Sequence, residues 1–189
     1  IMGRSVVEMT PEGRVIRVLA DNCDGAFFGG PNNLVVDSKG GVYFTDPHGK
    51  KNKLPGAAVY YITPKGKVIR VTEWDVFEFP NGCVLSPDGK TFFLNDSVTF
   101  YILAFDVKED GTLVNKRKFA EYGGEKGGKK SNRSNGDGLR IDSEGNLYCA
   151  AAKGIHVIDS RGEYLGVITF PKGPSNCIFG GPDMKTLYA

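Results

Sequence analysis

The chain has few histidines and few cysteines, and this scarcity excludes several kinds of site. Its two histidines, His48 and His156, lie far apart in sequence. A histidine triad or a two-histidine metal site is therefore not expected, and each histidine is interpreted as an ordinary loop or strand residue. No Cys-x-x-Cys pair is present, and a domain of this size does not depend on disulfides. We expect buried free thiols at Cys23, Cys83, Cys149 and Cys177.

Long apolar segments and an excess of one charge are also absent. No apolar run approaches the roughly 20 residues that cross a bilayer, and the N-terminal residues lack a signal-peptide core. The net charge of +2 favours neither nucleic acid nor an acidic membrane as a partner. The basic stretch at residues 121–135 resembles a phosphate grip but is interpreted as a solvated loop. The sequence predicts a soluble protein with no nucleic-acid or membrane partner, and a cytoplasmic location is slightly favoured.

Glycine, in contrast, is abundant. Its 26 residues are about twice the usual share, which suits a fold with many tight turns. The clearest pattern lies at residues 80–96, where Pro-Asn-Gly leads into an apolar run, a Ser-Pro-Asp-Gly turn, and a run of threonine and aromatic residues. This order predicts a β-hairpin with a polar residue, Asn81, at its entrance.

The hairpin pattern recurs along the chain. Residues 31–46, 136–149 and 174–188 repeat it at intervals of roughly 40 to 55 residues, the spacing of propeller blades. A second type of hairpin alternates with the first, so one of each makes a four-stranded unit. The sequence therefore predicts an all-β fold, a β-propeller of four-stranded antiparallel blades, with about four blades' worth in one domain of residues 1–189. Its inner strands are expected near residues 34–37, 83–86, 139–142 and 177–180.

Polar residues stand at the hairpin entrances: Asn32, Asn81, Asp137 and, less securely, Ser175. The first strand of each propeller blade lines the central channel, so these residues are expected to meet at one mouth of the channel. Amide and carboxylate oxygens are the ligands that hard cations such as Ca²⁺ take. Asn and Asp are also frequent turn residues before strands. The pattern alone leaves both a metal site and a purely architectural role open.

Four phrases, taken in order, carry a family resemblance: GPNNLVVDSKGGVYFTDP, FPNGCVLSPDGKTFFLND, NGDGLRIDSEGNLYCA and PSNCIFGGPDMKTLYA. Together they resemble the SMP-30/gluconolactonase/LRE family, and the resemblance covers residues 3–189. Members of that family are six-bladed propellers that hydrolyse sugar lactones and related esters. The resemblance therefore implies a propeller that is six-bladed when complete and a small-molecule lactone or ester substrate.

The resemblance also implies a site. A divalent cation, commonly Ca²⁺ but in other cases Zn²⁺, Mg²⁺ or Mn²⁺, is expected at the channel mouth, with Asn81 and Asp137 as ligands. Asn32 is expected to bind substrate, or to be a ligand as in some relatives. Asn33 is a further substrate-binding candidate and stands where relatives often have Asp. Asp137 is the candidate catalytic residue, either activating water or attacking directly.

One residue of the family site has no counterpart in this sequence. The family's remaining acidic ligand, a Glu on the first blade, would precede residue 3. We therefore expect a chain truncated at the N-terminus and perhaps at the C-terminus, with weak ion binding and little lactonase activity alone. Open blade edges predict self-association. The alternative function is a non-catalytic propeller that serves as a scaffold or binding module.

Overall fold

The computed structural model describes residues 4–49, 56–74, 76–122 and 133–189. Every regular element over these ranges is a β-strand. Within the same ranges, no helix is long and apolar enough to cross a membrane. The predicted all-β fold is confirmed.

The strands form three four-stranded sheets and three two-stranded ones. Two short antiparallel pairs come first: β1 (Val6–Met9) with β2 (Val15–Ala20), and β3 (Asn22–Cys23) with β4 (Ala26–Phe27). Blade 1 contains β5 (Leu34–Val36), β6 (Val42–Asp46), β7 (Ala58–Ile62) and β8 (Val68–Arg70). Blade 2 contains β9 (Pro80–Leu85), β10 (Thr91–Asp96), β11 (Tyr101–Val107) and β12 (Leu113–Glu121). Blade 3 contains β13 (Leu139–Ile141), β14 (Leu147–Ala151), β15 (Gly154–Ile158) and β16 (Tyr164–Thr169). The last pair is β17 (Ile178–Gly180) with β18 (Thr186–Tyr188).

Each blade is a simple antiparallel meander, because its strands pair in chain order. The predicted inner strands correspond to β5, β9, β13 and β17. Turn chemistry closes the inner hairpins as the sequence indicates: in the turn after β9, the Gly89 amide donates to the Ser86 carbonyl at 2.8 Å. Gly89 has a φ of 69°, a left-handed conformation that glycine adopts at little cost. Four-stranded antiparallel blades, predicted from the alternating hairpins, are therefore present.

The hydrophobic cores lie between successive blades. In β10, Phe92 and Leu94 pack with side chains of blade 1, whereas Phe93 between them packs with side chains of blade 3. This division follows from the two-residue period of a strand, which sends neighbouring side chains to opposite faces. Both faces of blade 2 are thus covered, which explains its nearly continuous apolar runs. Full burial of each Phe contributes about 2 to 3 kcal/mol.

Two buried aspartates, Asp46 and Asp96, end the second strands of blades 1 and 2. Each carboxylate accepts hydrogen bonds from three backbone amides and so satisfies donors that would otherwise have no partner. The donors are Gly29, Gly30 and His48 for Asp46, and Glu78, Phe79 and Val98 for Asp96. These bonds hold the loop that precedes each inner strand, and they therefore place the entrance residues.

All four cysteines are free thiols, as predicted. Cys83, Cys149 and Cys177 are buried, whereas Cys23 is only partly buried. Burial raises the pKa of the Cys83 and Cys149 thiols to about 12. These two cysteines are therefore apolar packing residues and not nucleophiles.

His156 is a buried residue of β15, in agreement with its interpretation as an ordinary strand residue. Its Nε2 lies 2.9 Å from the Ala152 carbonyl oxygen and its Nδ1 lies 3.0 Å from the Tyr164 hydroxyl. A carbonyl oxygen only accepts, so Nε2 carries the proton and the Tyr164 hydroxyl donates to Nδ1. Burial lowers the pKa of His156, and the charge of Lys153 lowers it further, against an opposing effect of the Ala152 carbonyl.

This lowered pKa predicts an acid-sensitive stability. As the pH falls through 6.5, the ordinary pKa of histidine, His156 of the unfolded chain takes up a proton that the native protein does not bind. The free energy of unfolding should therefore decline as the pH falls from about 7 to 5. Urea unfolding at a series of pH values should show this slope, and His156→Gln should reduce it. An unchanged slope in His156→Gln would show that other groups cause the acid sensitivity.

Candidate functional site

The register of the inner hairpins places the predicted entrance residues at equivalent positions. Each entrance residue, Asn32, Asn81 or Asp137, lies two residues before the inner-strand member of a cross-strand pair. These pairs are Leu34 with Phe44, Cys83 with Leu94, and Leu139 with Cys149. Cys83 and Leu139 both pack against the preceding blade. By strand alternation Asp137 faces back toward blade 2, whereas a bulge in the β9–β10 pair between Leu94 and Asp96 interrupts the alternation at Asn81.

Ser175 takes the corresponding place before β17. Cys177, two residues later, packs with Ala150 and Ile155 of blade 3, just as Cys83 packs with blade 1. The Ser175 carbonyl accepts a hydrogen bond from the Gly138 amide at 2.9 Å. The repeat therefore extends to the fourth hairpin, where the entrance residue is a serine.

The structure brings the side chains of Asn81 and Asp137 together. Asn81 is 5% exposed, and Asp137 is half-buried on the adjacent blade. Burial raises the pKa of the Asp137 carboxyl group, and the Asn81 side chain, which hydrogen-bonds to the charged form, partly opposes this rise. The two side chains thus form one polar site that joins blades 2 and 3.

Asn32 and Asn33 differ in their surroundings. Asn32 is exposed, and its backbone amide donates to the Thr45 carbonyl at 2.9 Å. Among the described residues, no hydrogen bond joins the Asn32 side chain to Asn81 or Asp137. Asn33 is 8% exposed and, by strand alternation, faces blade 2. The substrate-binding role of Asn33 and the substrate-binding or ligand role of Asn32 stay predictions.

Buried oxygens without partners mark this part of the molecule. The Oδ1 atoms of Asn33, Asn81 and Asn95 are buried, and no donor among the described residues reaches them. A buried carbonyl without a hydrogen bond costs about 1 to 3 kcal/mol, and three of the four such side-chain oxygens found among the described residues are these amide oxygens; the fourth is Ser5 Oγ. Two of the three belong to predicted site residues, Asn33 and Asn81.

The donor set suits a hard cation. Amide oxygens and one carboxylate are the ligand types that Ca²⁺ takes. The Asn81 side chain hydrogen-bonds to the Asp137 carboxylate, and its Oδ1 is buried without a partner within the described ranges. Within those ranges, no group of three His, Cys, Asp or Glu side chains could hold a metal ion. Asn81 and Asp137 supply oxygen ligands with one negative charge between them.

The second strands supply contacts that the sequence reasoning missed. The Thr45 hydroxyl of blade 1 donates to the main-chain carbonyl oxygen of Asn81 at 3.0 Å. Asn95 Nδ2 of blade 2 donates to the main-chain carbonyl oxygen of Asp137 at 2.5 Å. Thr45 and Asn95 are equivalent by register. Blades 1 and 2 thus each hold the entrance residue of the next blade. Both side chains bond to main-chain oxygens, so no sequence signal identifies these contacts.

Another cleft lies far from these residues. It has a volume of about 570 Å³ and is lined by the hairpin turns at the opposite end of the inner strands, including Asp37, Lys39, Asp88 and Lys90. Its acidic and basic side chains balance, and its tyrosine hydroxyls are used: Tyr61 donates to Asp37 at 2.6 Å. The basic segment with Lys126, Lys129 and Lys130, interpreted above as a solvated loop, lies outside the described residues. The entrance residues are therefore the candidate site.

The packing of one four-stranded antiparallel blade against the next, with polar residues at equivalent entrances, defines a β-propeller. The profile of the family described as "SMP-30/Gluconolactonase/LRE-like region" matches residues 2–189. The chain belongs to this family, which confirms the resemblance inferred from the hairpin phrases.

Individual relatives agree with this assignment. A gluconolactonase from Zymomonas mobilis is 29% identical over 94% of this chain and 52% of its own length. A regucalcin from Danio rerio is 31% identical over 84% of this chain and 54% of its own length. The solved structure of a gluconolactonase from Xanthomonas campestris has a TM-score of 0.80 and 29% identity, covering 93% of this chain and 59% of that one. The chain thus spans about half the length of the curated relatives it matches.

Proposed function

We propose that this chain is part of a divalent-cation-dependent hydrolase of sugar lactones or related esters, with its site at Asn81 and Asp137. The observation that carries the proposal is the buried Asn81 Oδ1 atom, which has no partner among the described residues and belongs to a side chain that hydrogen-bonds to the Asp137 carboxylate. Similarity to a Zymomonas mobilis gluconolactonase supports the reaction class. The substrate is accordingly a small cyclic ester.

Asn81 and Asp137 would hold the cation, with Asn32 as a further candidate ligand and Ca²⁺ as the first ion to test. When bound, the cation supplies Lewis-acid polarisation of the substrate carbonyl. Asn33, whose oxygen is buried and faces blade 2, would accept a hydrogen bond from a substrate hydroxyl. Such a bond selects for a hydroxylated lactone over an apolar one.

Asp137 would act on the attacking water. Its carboxylate accepts the proton from water as the oxygen attacks the carbonyl carbon. Direct attack by the carboxylate is the alternative role. Attack by Asp137 would open the ring and form an acyl–Asp137 anhydride, which water then cleaves. After a single turnover in ¹⁸O-labelled water, ¹⁸O in the Asp137 carboxylate would show that this anhydride formed and was cleaved at the Asp137 carbonyl.

The proposal is tested by pH-stat assay of glucono-1,5-lactone and of an aryl ester, in the 189-residue chain and in any longer protein that contains it. We expect hydrolysis to stop on chelation with EDTA and to return on addition of Ca²⁺. Hydrolysis that withstands the chelator would contradict the metal dependence. The absence of hydrolysis from a longer protein with a closed propeller would favour the non-catalytic scaffold.

A further inference from the structure

The hydroxyl group of Ser97, the residue after β10, links the two parts of the candidate site. Ser97 Oγ lies 2.6 Å from the Gly136 carbonyl oxygen and 3.1 Å from Asn81 Nδ2. The carbonyl only accepts, so the single hydroxyl proton goes to Gly136, and the hydroxyl oxygen must accept from Asn81. Ser97 therefore determines which end of the Asn81 amide faces it.

The orientation of this amide decides what Asn81 offers to a ligand. With Nδ2 held by Ser97, the carbonyl oxygen is the end that is buried without a partner in the described part of the chain. Were the amide reversed, an N–H group would occupy the position of the oxygen and would repel a cation. The Ser97 hydroxyl thus specifies a cation-binding orientation of Asn81 over the reverse one.

Ser97 also holds the loop that carries Asp137. Its hydroxyl bonds to Gly136, its carbonyl accepts from the Asn135 amide at 3.0 Å, and the neighbouring Asn95 bonds to the Asp137 carbonyl. Three consecutive residues before β13, at positions 135–137, are therefore hydrogen-bonded to Asn95 and Ser97 at the end of β10. The same hydroxyl oxygen accepts from Asn81 on blade 2, so this one side chain links both candidate ligands.

The repeats provide an internal comparison. By register, the positions equivalent to Ser97 are Pro47 in blade 1 and Ala152 in blade 3. Neither side chain can form a hydrogen bond, yet both blades fold as four-stranded sheets. A hydroxyl is therefore not a requirement of blade architecture at this position. It occurs in the one blade of the three whose entrance residue, Asn81, faces Asp137.

We propose that Ser97 is a positioning residue of the site, which orients Asn81 for cation binding and fixes it relative to the Asp137 loop. This inference rests on the proposed function for its cation but not for the orientation of Asn81, which exists in the metal-free protein. Ser97 itself provides no ligand and touches no reacting atom. Loss of such an outer contact typically weakens metal binding by about 10- to 100-fold.

The first test is calorimetric titration of the 189-residue chain with Ca²⁺ alone. Ser97→Ala is expected to raise the dissociation constant by about tenfold, while Ser97→Thr, which keeps the hydroxyl, stays within about threefold of the parent. Ser86→Ala is the matched control, because Ser86 also bonds through its hydroxyl but lies at the far turn of the same hairpin. Thermal unfolding verifies that each variant is folded. If Ser97→Ala does not fold, Ser97→Cys takes its place.

The second test keeps the inference distinct from the proposed function. In the metal-free, ¹⁵N-labelled chain, the Asn81 side-chain amide signals, assigned by their loss in Asn81→Ala, should shift and exchange faster in Ser97→Ala but not in Ser86→Ala. If the parent binds no Ca²⁺, the metal part of the proposed function fails and these signals alone decide the role of Ser97. Unchanged Asn81 signals, or equal losses of affinity in Ser97→Ala and Ser86→Ala, would overturn the inference.

Discussion

Asp137→Asn is expected to lower kcat/KM for lactone hydrolysis by roughly a thousandfold, the scale of losing a general base. The replacement keeps the size of the side chain but removes the only carboxylate of the Asn81–Asp137 pair. It therefore removes both the proton acceptor and the charge that attracts the cation. Affinity for Ca²⁺ should fall by at least roughly tenfold in the same variant. Steady-state assays and calorimetric titration measure the two effects separately.

The matched control is Asp88→Asn. Asp88 lies in the turn between β9 and β10, at the opposite end of the hairpin from Asn81, and accepts local hydrogen bonds from Ser86 and Lys90. It loses the same charge without touching the site, so hydrolysis and Ca²⁺ affinity should stay at parent values. Full activity in Asp137→Asn would exclude Asp137 as the catalytic residue. Equal losses in both variants would indicate a general effect of charge.

Gly82→Ala should reduce the free energy of unfolding by about 3 kcal/mol, near the upper end of the usual cost of overpacking. A Cβ atom at Gly82 would lie 2.1 Å from the Asp137 carbonyl oxygen, 2.7 Å from the Leu139 amide nitrogen and 2.9 Å from Asn95 Nδ2. The first two are backbone atoms, which cannot rotate away as a side chain would. Blades 2 and 3 must therefore separate at the point where they hold the site. Urea unfolding followed by the fluorescence of Trp74, the one tryptophan, measures the loss.

Gly173→Ala tests whether this loss is specific. A Cβ atom there would meet only the Ala151 carbonyl oxygen, at the ordinary contact distance of 3.7 Å, and neither glycine has a left-handed backbone conformation. We expect a change within about 0.5 kcal/mol for Gly173→Ala. A similarly small change for Gly82→Ala would mean that the two blades pack less tightly than the structure shows. Ca²⁺ affinity should also fall in Gly82→Ala alone, because the Asp137 loop is displaced.

The blade architecture could be predicted from the sequence because the relevant signals are local. Turn residues such as Ser86 to Gly89, and the apolar and aromatic runs on both sides, specify each hairpin within about a dozen residues. The spacing of the repeats then gave the blades, and the entrance positions followed from chain order. The pairing of Asn81 with Asp137 was predictable for the same reason, since equivalent positions of neighbouring blades are close in space.

The supporting contacts could not be predicted in this way. Asn95 and Ser97 reach from one blade to backbone atoms of the next, and a backbone acceptor leaves no trace in the sequence. The alternation of faces also depends on register, which shifts at a bulge between Leu94 and Asp96. A one-residue shift reverses the face that a side chain occupies, so sequence patterns alone do not say which polar side chains of β10 point to the site.

Because the hydrophobic cores lie between blades, a sheet is not the unit that evolution or a protein engineer can exchange in this chain. A transplanted blade 2 would carry half of each of two cores, one shared with Tyr43 and Tyr61 and the other with Leu139 and Leu147. The exchangeable unit runs from the middle of one blade to the middle of the next and contains a whole core. The Asn81–Asp137 site falls inside such a unit, so a graft of the seam between blades 2 and 3 would transfer core and site together.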